Sequence, residues 1–231
     1  MKQILFSIYL LLFTTLAFAN DFEDGLHAAQ KENYKTAIPL LNKAAQQNNS
    51  MAHVVLGLMY KNGKGIKQNQ KTAFQHFLTA AKLNDADGQF NVAQMYEHGK
   101  GVSKDDTEAV KWYQLSADQG LTDAQLRLGL LYQYGQNGVT QDYKLAEKWF
   151  RLAAQQGDPD AQLLLGLAYL NGNGLPKDLI RAYAWTYLAA NNESHEAKKE
   201  RDAIDKKLDA KQRQEAQELS RKCSASNFTD C

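Results

Sequence analysis

The chain has 231 residues, with 27 Lys and Arg against 26 Asp and Glu, and 44% of its residues are hydrophobic. So even a charge balance argues against nucleic-acid binding, which normally shows as a basic face, and gives no reason to expect a membrane-surface binder.

The first segment, "MKQILFSIYLLLFTTLAFA", opens on Lys2, continues as an apolar run from Ile4 to Leu16, and ends on small residues at Ala17 and Ala19. A basic start, a short greasy centre and an A-x-A-type site form the pattern of a signal peptide over residues 1–19, cut after Ala19. The run is short for a membrane span, which needs roughly 20 residues; an uncleaved anchor is the alternative. No Cys follows the cut, so a lipid anchor is not expected. The mature chain would start at Asn20, carry 26 basic and 26 acidic residues, contain no membrane-spanning run, and be exported to the periplasm or secreted.

Residues 20–49 read as a divergent opening helical pair, with Ala37, Leu40, Ala44 and Ala45 on the apolar side of "NYKTAIPLLNKAA". Residues 50–193 then repeat one pattern four times, as 50–85, 86–121, 122–158 and 159–193. The tyrosines Tyr60, Tyr96, Tyr132 and Tyr169 set the register, at spacings of 36, 36 and 37. Four residues earlier stands Leu56, Val92, Leu128 or Leu165, followed by Gly57, Ala93, Gly129 or Gly166. Small residues there let a second helix come close. After each tyrosine comes a glycine pair: Gly63 and Gly65, Gly99 and Gly101, Gly135 and Gly138, Gly172 and Gly174. Such glycines end a helix in the left-handed region and turn the chain back. An apolar plug follows (Ile66, Val102, Val139, Leu175), then a helix-capping residue (Asn69, Asp105, Asp142, Asp178). Next come an alanine (Ala73, Ala109, Ala146, Ala182) and an aromatic slot (His76, Trp112, Trp149, Trp185). The unit closes on Asn84, Gly120 or Gly157, and on Glu193 in the fourth.

Apolar residues at i, i+3, i+4 and i+7 make each unit two amphipathic helices, expected at 50–61 and 70–82, 86–97 and 106–118, 123–134 and 142–156, 160–171 and 178–191. A two-helix unit cannot bury its own apolar face, so the units must stack, with atypical end units shielding the core. The tryptophans are expected in that core. Residues 194–231 suit the capping role: two polar helices with Ala203, Ile204, Leu208, Ala216 and Leu219 on the apolar side. Cys223 and Cys231 are an even pair in an exported chain and are expected as a disulfide closing a short loop, with two free thiols as the alternative.

The pattern A-x-x-x-L-G-x-x-Y-x-x-G-x-G-V-x-x-D-x-x-x-A-x-x-W-x-x-x-A-A-x-x-G resembles the Sel-1-like repeat, of the tetratricopeptide-type α-solenoids. The resemblance covers residues 50–193 well and 21–49 loosely; His76, Ala93, the extra loop residue at 135–138 and Glu193 depart from it. It implies an all-α, right-handed superhelical solenoid of antiparallel helix pairs that organises protein complexes rather than catalysing. Small exported members rich in cysteine pairs have been described as binding penicillin-like compounds; this chain lacks those pairs. A weak β-lactam-binding or hydrolysing protein and a structural subunit of an envelope machine are the alternatives.

Catalytic and metal-binding patterns such as H-E-x-x-H, G-x-S-x-G, C-x-x-C and S-x-x-K are missing, and His27, His53, His76, His98 and His195 follow no metal-ligand spacing. His76, in a core slot, reads as structural. No cofactor or metal is expected. The triplets starting at Asn48, Asn192 and Asn227 would matter only in a eukaryotic secretory pathway.

In stacks of this type the first helix of each pair lines a concave face. Val54, Leu58 and Lys61, then Phe90, Gln94 and Glu97, then Leu126, Leu130 and Gln133, then Leu163, Leu167 and Leu170 are expected on it. An apolar groove rimmed by amides and a few charges would take a peptide or helix of another protein. The alternative is that these side chains pack against the neighbouring unit or the terminal helices. A monomer with a protein partner is the expectation.

Overall fold

The computed structural model describes residues 21–192, 194–226, 228 and 231. The signal-type segment at 1–19, Glu193 and Asn227 lie outside the described residues.

Every regular element among the described residues is helical. Helix α1 covers residues 21–30. It is followed by α2 (Tyr34–Gln46), α3 (Ser50–Asn62), α4 (Gln70–Lys82), α5 (Ala86–His98), α6 (Asp106–Asp118), α7 (Thr122–Tyr134) and α8 (Tyr143–Gln155). Then come α9 (Pro159–Asn171), α10 (Leu179–Ala190), α11 (His195–Asp205) and α12 (Ala210–Ala225). The expected repeat helices match these within a residue or so at each end, the range over which helix ends fray.

Local chemistry explains the boundaries. The first helices α3, α5 and α9 start where Asn49, Asp85 and Asp158 accept a hydrogen bond from a backbone N–H three residues on, at 2.7–2.9 Å. Helix α7 starts on Leu121 without such a bond. All four first helices of the repeats end on a glycine at φ between 62° and 78° (Gly63, Gly99, Gly135, Gly172), a conformation that costs other residues a Cβ clash. The chain then turns, and the backbone N–H of Asn69, Asp105, Asp142 or Asp178 donates to the carbonyl of Tyr60, Tyr96, Tyr132 or Tyr169 at 2.9–3.0 Å. The side chains of the same four residues accept from the first turn of the second helix. One residue thus both closes the loop and caps the next helix.

Two compact units divide the chain between Trp112 and Tyr113, a boundary inside α6. In the N-terminal unit α2 packs on α3, α3 on α4 and α4 on α5. Its core joins Leu41, Ala44, Leu56 and Met59 in one cluster and Phe74, Phe77, Val92 and Met95 in another. In the C-terminal unit α7 packs on α8, α8 on α9 and α9 on α10, and α10 is covered by α11 and α12. Phe150, Leu165 and Trp185 share that core with Ile204, Leu208, Ala216 and Cys223. So α11 and α12 cap the last hairpin.

The expectation of core tryptophans holds at two of the three. The aromatic slot is buried at Trp149 and Trp185 but only half-buried at His76 and Trp112. The following residue, a further 100° around the helix, is the constant core element: Phe77, Tyr113, Phe150 and Thr186 are all buried. Three of them face the small residue of the partner helix directly: a Cβ added to Gly57 would sit 2.6 Å from the Phe77 ring and one added to Gly166 would sit 2.7 Å from Thr186 Cγ2. Gly129 meets Phe150 in the same way. In the caps Ala203 is exposed and Leu219 half-buried, whereas Ile204, Leu208 and Ala216 are buried as expected.

Cys223 and Cys231 are paired, with Cα atoms 5.1 Å apart. The tail folds back over the C-terminal unit: the Phe228 N–H donates to the Cys223 carbonyl at 2.7 Å, and the Phe228 ring lies over Gly157.

Candidate functional site

The two units are best taken separately. On α3, Val54 is half-buried against the α4–α5 core, and Leu58 is 38% exposed. Lys61 donates to the side-chain oxygens of Asn91 and Gln94 on α5, both at 3.4 Å. Burial, with Lys100 nearby, holds the Lys61 ammonium below the usual lysine range. On α5, Phe90 and Gln94 are half-buried. Glu97 is not on an open face: it is 7% exposed. It falls four residues after the buried Ala93, on the same stripe of the helix, so the packing that covers one covers the other.

In the C-terminal unit Leu126, Leu130 and Leu170 are half-buried and lean on the core cluster, and Gln133 and Leu167 are half-buried too. Leu163 is 7% exposed and packs with Ala189, Ala190 and Ala197. Here the cap α11 has taken the surface that the repeat pattern would leave open. Beside these residues lies a cavity of about 200 Å³, with Gln133, Tyr143, Glu147, Phe150, Leu167 and Asn171 in its wall. Glu147 is neutralised there by Arg151, whose Nη2 also donates to the Tyr169 hydroxyl at 2.9 Å.

Of the twelve expected face residues, ten keep some accessible surface and two, Glu97 and Leu163, are buried. The accessible ones are mainly aliphatic or amide. Such a set can hold apolar side chains and pair with peptide groups; it offers no nucleophile–base pair. No group of three or more His, Cys, Asp and Glu among the described residues could hold a metal ion.

One recurrent column was not singled out in the sequence. His53, Gln89, Gln125 and Gln162 recur at the same spacing as the tyrosines. The side chain of each reaches back to the last turn of the preceding helix: His53 Nε2 to the Ala45 carbonyl at 3.2 Å, and the three amides to Ala81, Ala117 and Ala154 at 3.2–3.5 Å. These are the ends where helix carbonyls lack intrahelical partners, so the column rivets each hairpin to the one before. Its periodicity was the available signal; a polar residue among apolar ones reads as solvent-facing until the packing is known.

These features define an all-α solenoid of helical hairpins, and comparison with known proteins narrows the class. The Sel1 repeat model matches residues 22–49, 50–85, 86–121, 122–158 and 159–194, and the chain belongs to the Sel1 repeat family. A Sel1 repeat protein from Oxalobacter formigenes is 36% identical over 76% of this chain and 72% of that one, with a TM-score of 0.72. A protective antigen of uropathogenic Escherichia coli with an SLR fold is 27% identical over 92% of this chain, which spans 56% of that protein, with a TM-score of 0.54. A Sel1 repeat protein from Klebsiella pneumoniae, 20% identical over 81% of this chain and 93% of that one with a TM-score of 0.51, shares the fold. No curated protein matches this chain. Sel1 repeat proteins are in general protein-interaction scaffolds without enzymatic activity. No helix among the described residues is long and apolar enough to cross a membrane.

Proposed function

We propose that this protein is a non-enzymatic adaptor, exported from a bacterial cell, that holds a peptide or helix of another protein on the first helices of its repeats. The observation that carries the reading is the accessible apolar and amide side chains on the first helices of the repeats in each unit: Leu58, Phe90 and Gln94 on α3 and α5 of the N-terminal unit, and Leu126 and Leu130 on α7 of the C-terminal unit. Leaving leucines half in water adds nothing to the stability of the fold, and burying the exposed half in a complex is favourable by about 1 kcal/mol per side chain. Amides alongside can pair with the backbone of an extended or helical segment. The segment at 1–19 supports export.

The test is capture of the partner from the native envelope, followed by titration calorimetry against the wild-type chain, Phe90→Ala and Leu130→Asp. Each variant is expected to weaken binding at least tenfold while unfolding as a cooperative species. Wild-type affinity in both variants removes these helices as the binding face.

A further inference from the structure

Of the four repeats at 50–193, the first, α3–α4, departs from the other three at two recurrent positions at once. Where α5, α7 and α9 carry Gln89, Gln125 and Gln162, α3 carries His53. Where α6, α8 and α10 carry Trp112, Trp149 and Trp185, α4 carries His76. The two exceptions touch: His53 Nδ1 and His76 Nδ1 are 3.1 Å apart. The ring centroids are 5.3 Å apart, so the rings lie nearly end to end with the nitrogens aimed at one another. That is the arrangement of a hydrogen bond rather than of two ligands converging on a shared ion. The ring of Tyr60 on α3 stacks on His76 at 5.5 Å.

The protons can be assigned. His53 Nε2 lies 3.2 Å from the Ala45 carbonyl at the end of α2. A carbonyl only accepts, so Nε2 carries the hydrogen and Nδ1 of neutral His53 offers a lone pair. His76 Nδ1–H is then the donor. A single relay runs from α4 through α3 to α2, filling the place of the amide rivet.

The relay tolerates one added proton and not two. His76 can be protonated on Nε2 and still donate through Nδ1. Protonating His53 on Nδ1 sets two N–H groups and two positive charges face to face. The open pocket around the pair is lined by Lys71, Thr72, Gln75 and Thr79, one cation and no carboxylate, so nothing in its wall compensates that charge. Burial pushes both imidazoles below their ordinary value, with the Ala45 bond opposing this at His53 and the neighbouring His53 adding to it at His76.

We propose that the His53–His76 pair is an acid-opened latch on the first repeat: neutral or singly protonated it ties α2 and α4 to α3, and a second proton releases them. For basic groups whose folded-state affinity for protons is lowered, the unfolded state binds the proton first. The stabilising contribution is therefore complete above the ordinary imidazole value of about 6.5 and is lost as pH falls below it. Because α3 also carries Val54, Leu58 and Lys61, acid unsettles that part of the binding face; this consequence rests on the proposed function, and the latch does not.

Imidazole NMR titration of the full chain tests it directly. His53 and His76 are expected to titrate below the ordinary imidazole value of about 6.5; titration of both at or above that value overturns the proposal. Hydrogen exchange gives the structural readout. Between pH 7.5 and pH 5, after correction for intrinsic rates, amides of α2–α4 are expected to lose protection about tenfold or more. The variant His53→Gln/His76→Trp, which restores the residues of the other repeats, is expected to lose none of it. Acid loosening that persists in this variant overturns the latch. If the variant fails to fold, the titration of the wild-type chain decides.

Discussion

The first repeat, α3–α4, and the last, α9–α10, are written to one template, yet equivalent positions meet different fates. The slot that holds Trp185, 1% exposed and surrounded by the capping helices, holds the half-buried His76 in the first repeat. The next residue is the large Phe77 in one and the small Thr186 in the other, each facing a glycine. On the first helix, Val54 keeps accessible surface where its equivalent Leu163 is buried against Ala189, Ala190 and Ala197. What holds a hairpin together is common to both repeats. What is left open to solvent depends on the helix that follows.

The largest expected difference is in the aromatic slot. Trp185→Ala empties a fully buried site and should cost about 3–5 kcal/mol, whereas His76→Ala at neutral pH should cost about 1–2 kcal/mol, the value of its hydrogen bond and half-buried ring. Urea unfolding of both variants measures this; equal losses would dissolve the distinction. Next is the row on the first helix. Leu163→Ala should cost about 2–3 kcal/mol and Leu58→Ala under about 1 kcal/mol, because only the former leaves a cavity. Comparable values would mean that α11 does not seal Leu163 in solution. The smallest contrast is at the glycines. Alanine is the better helix former by about 1 kcal/mol, but its Cβ forces overpacking worth about 1–3 kcal/mol. Gly166→Ala should lose more than Gly57→Ala, since its new Cβ would meet the Ala182 carbonyl at 3.1 Å, backbone that cannot swing aside. Thermal melts of the pair rank them; the reverse order would show that the Phe77 ring is the stiffer neighbour.

Much of this architecture was legible in the residue pattern. Tyr60, Tyr96, Tyr132 and Tyr169 set the register, and the glycines and caps that follow them act locally, through φ angles and hydrogen bonds three residues long. Such features do not depend on the rest of the fold. Trp149 and Trp185 lie in the core as the pattern implies, but Trp112 is only half-buried, and the residue one place on, which the pattern does not single out, is the one turned inward in every repeat. The rivet column passed unnoticed because glutamine looks like a surface residue unless the carbonyl it satisfies is in view. Glu97 and Leu163 were assigned to an open face from spacing alone, and spacing cannot say what lies across from a side chain.

By itself the amino-acid order determined the number of hairpins, where each helix starts and stops, and the need for consecutive hairpins to share a core, because periodicity, capping and chain reversal are short-range matters. The tertiary structure alone decided which side chains stay accessible, how α11 closes over Leu163, and that His53 and His76, 23 residues apart, share a hydrogen bond. Those outcomes depend on contacts between elements, and a contact is a property of two surfaces that no single stretch of chain contains.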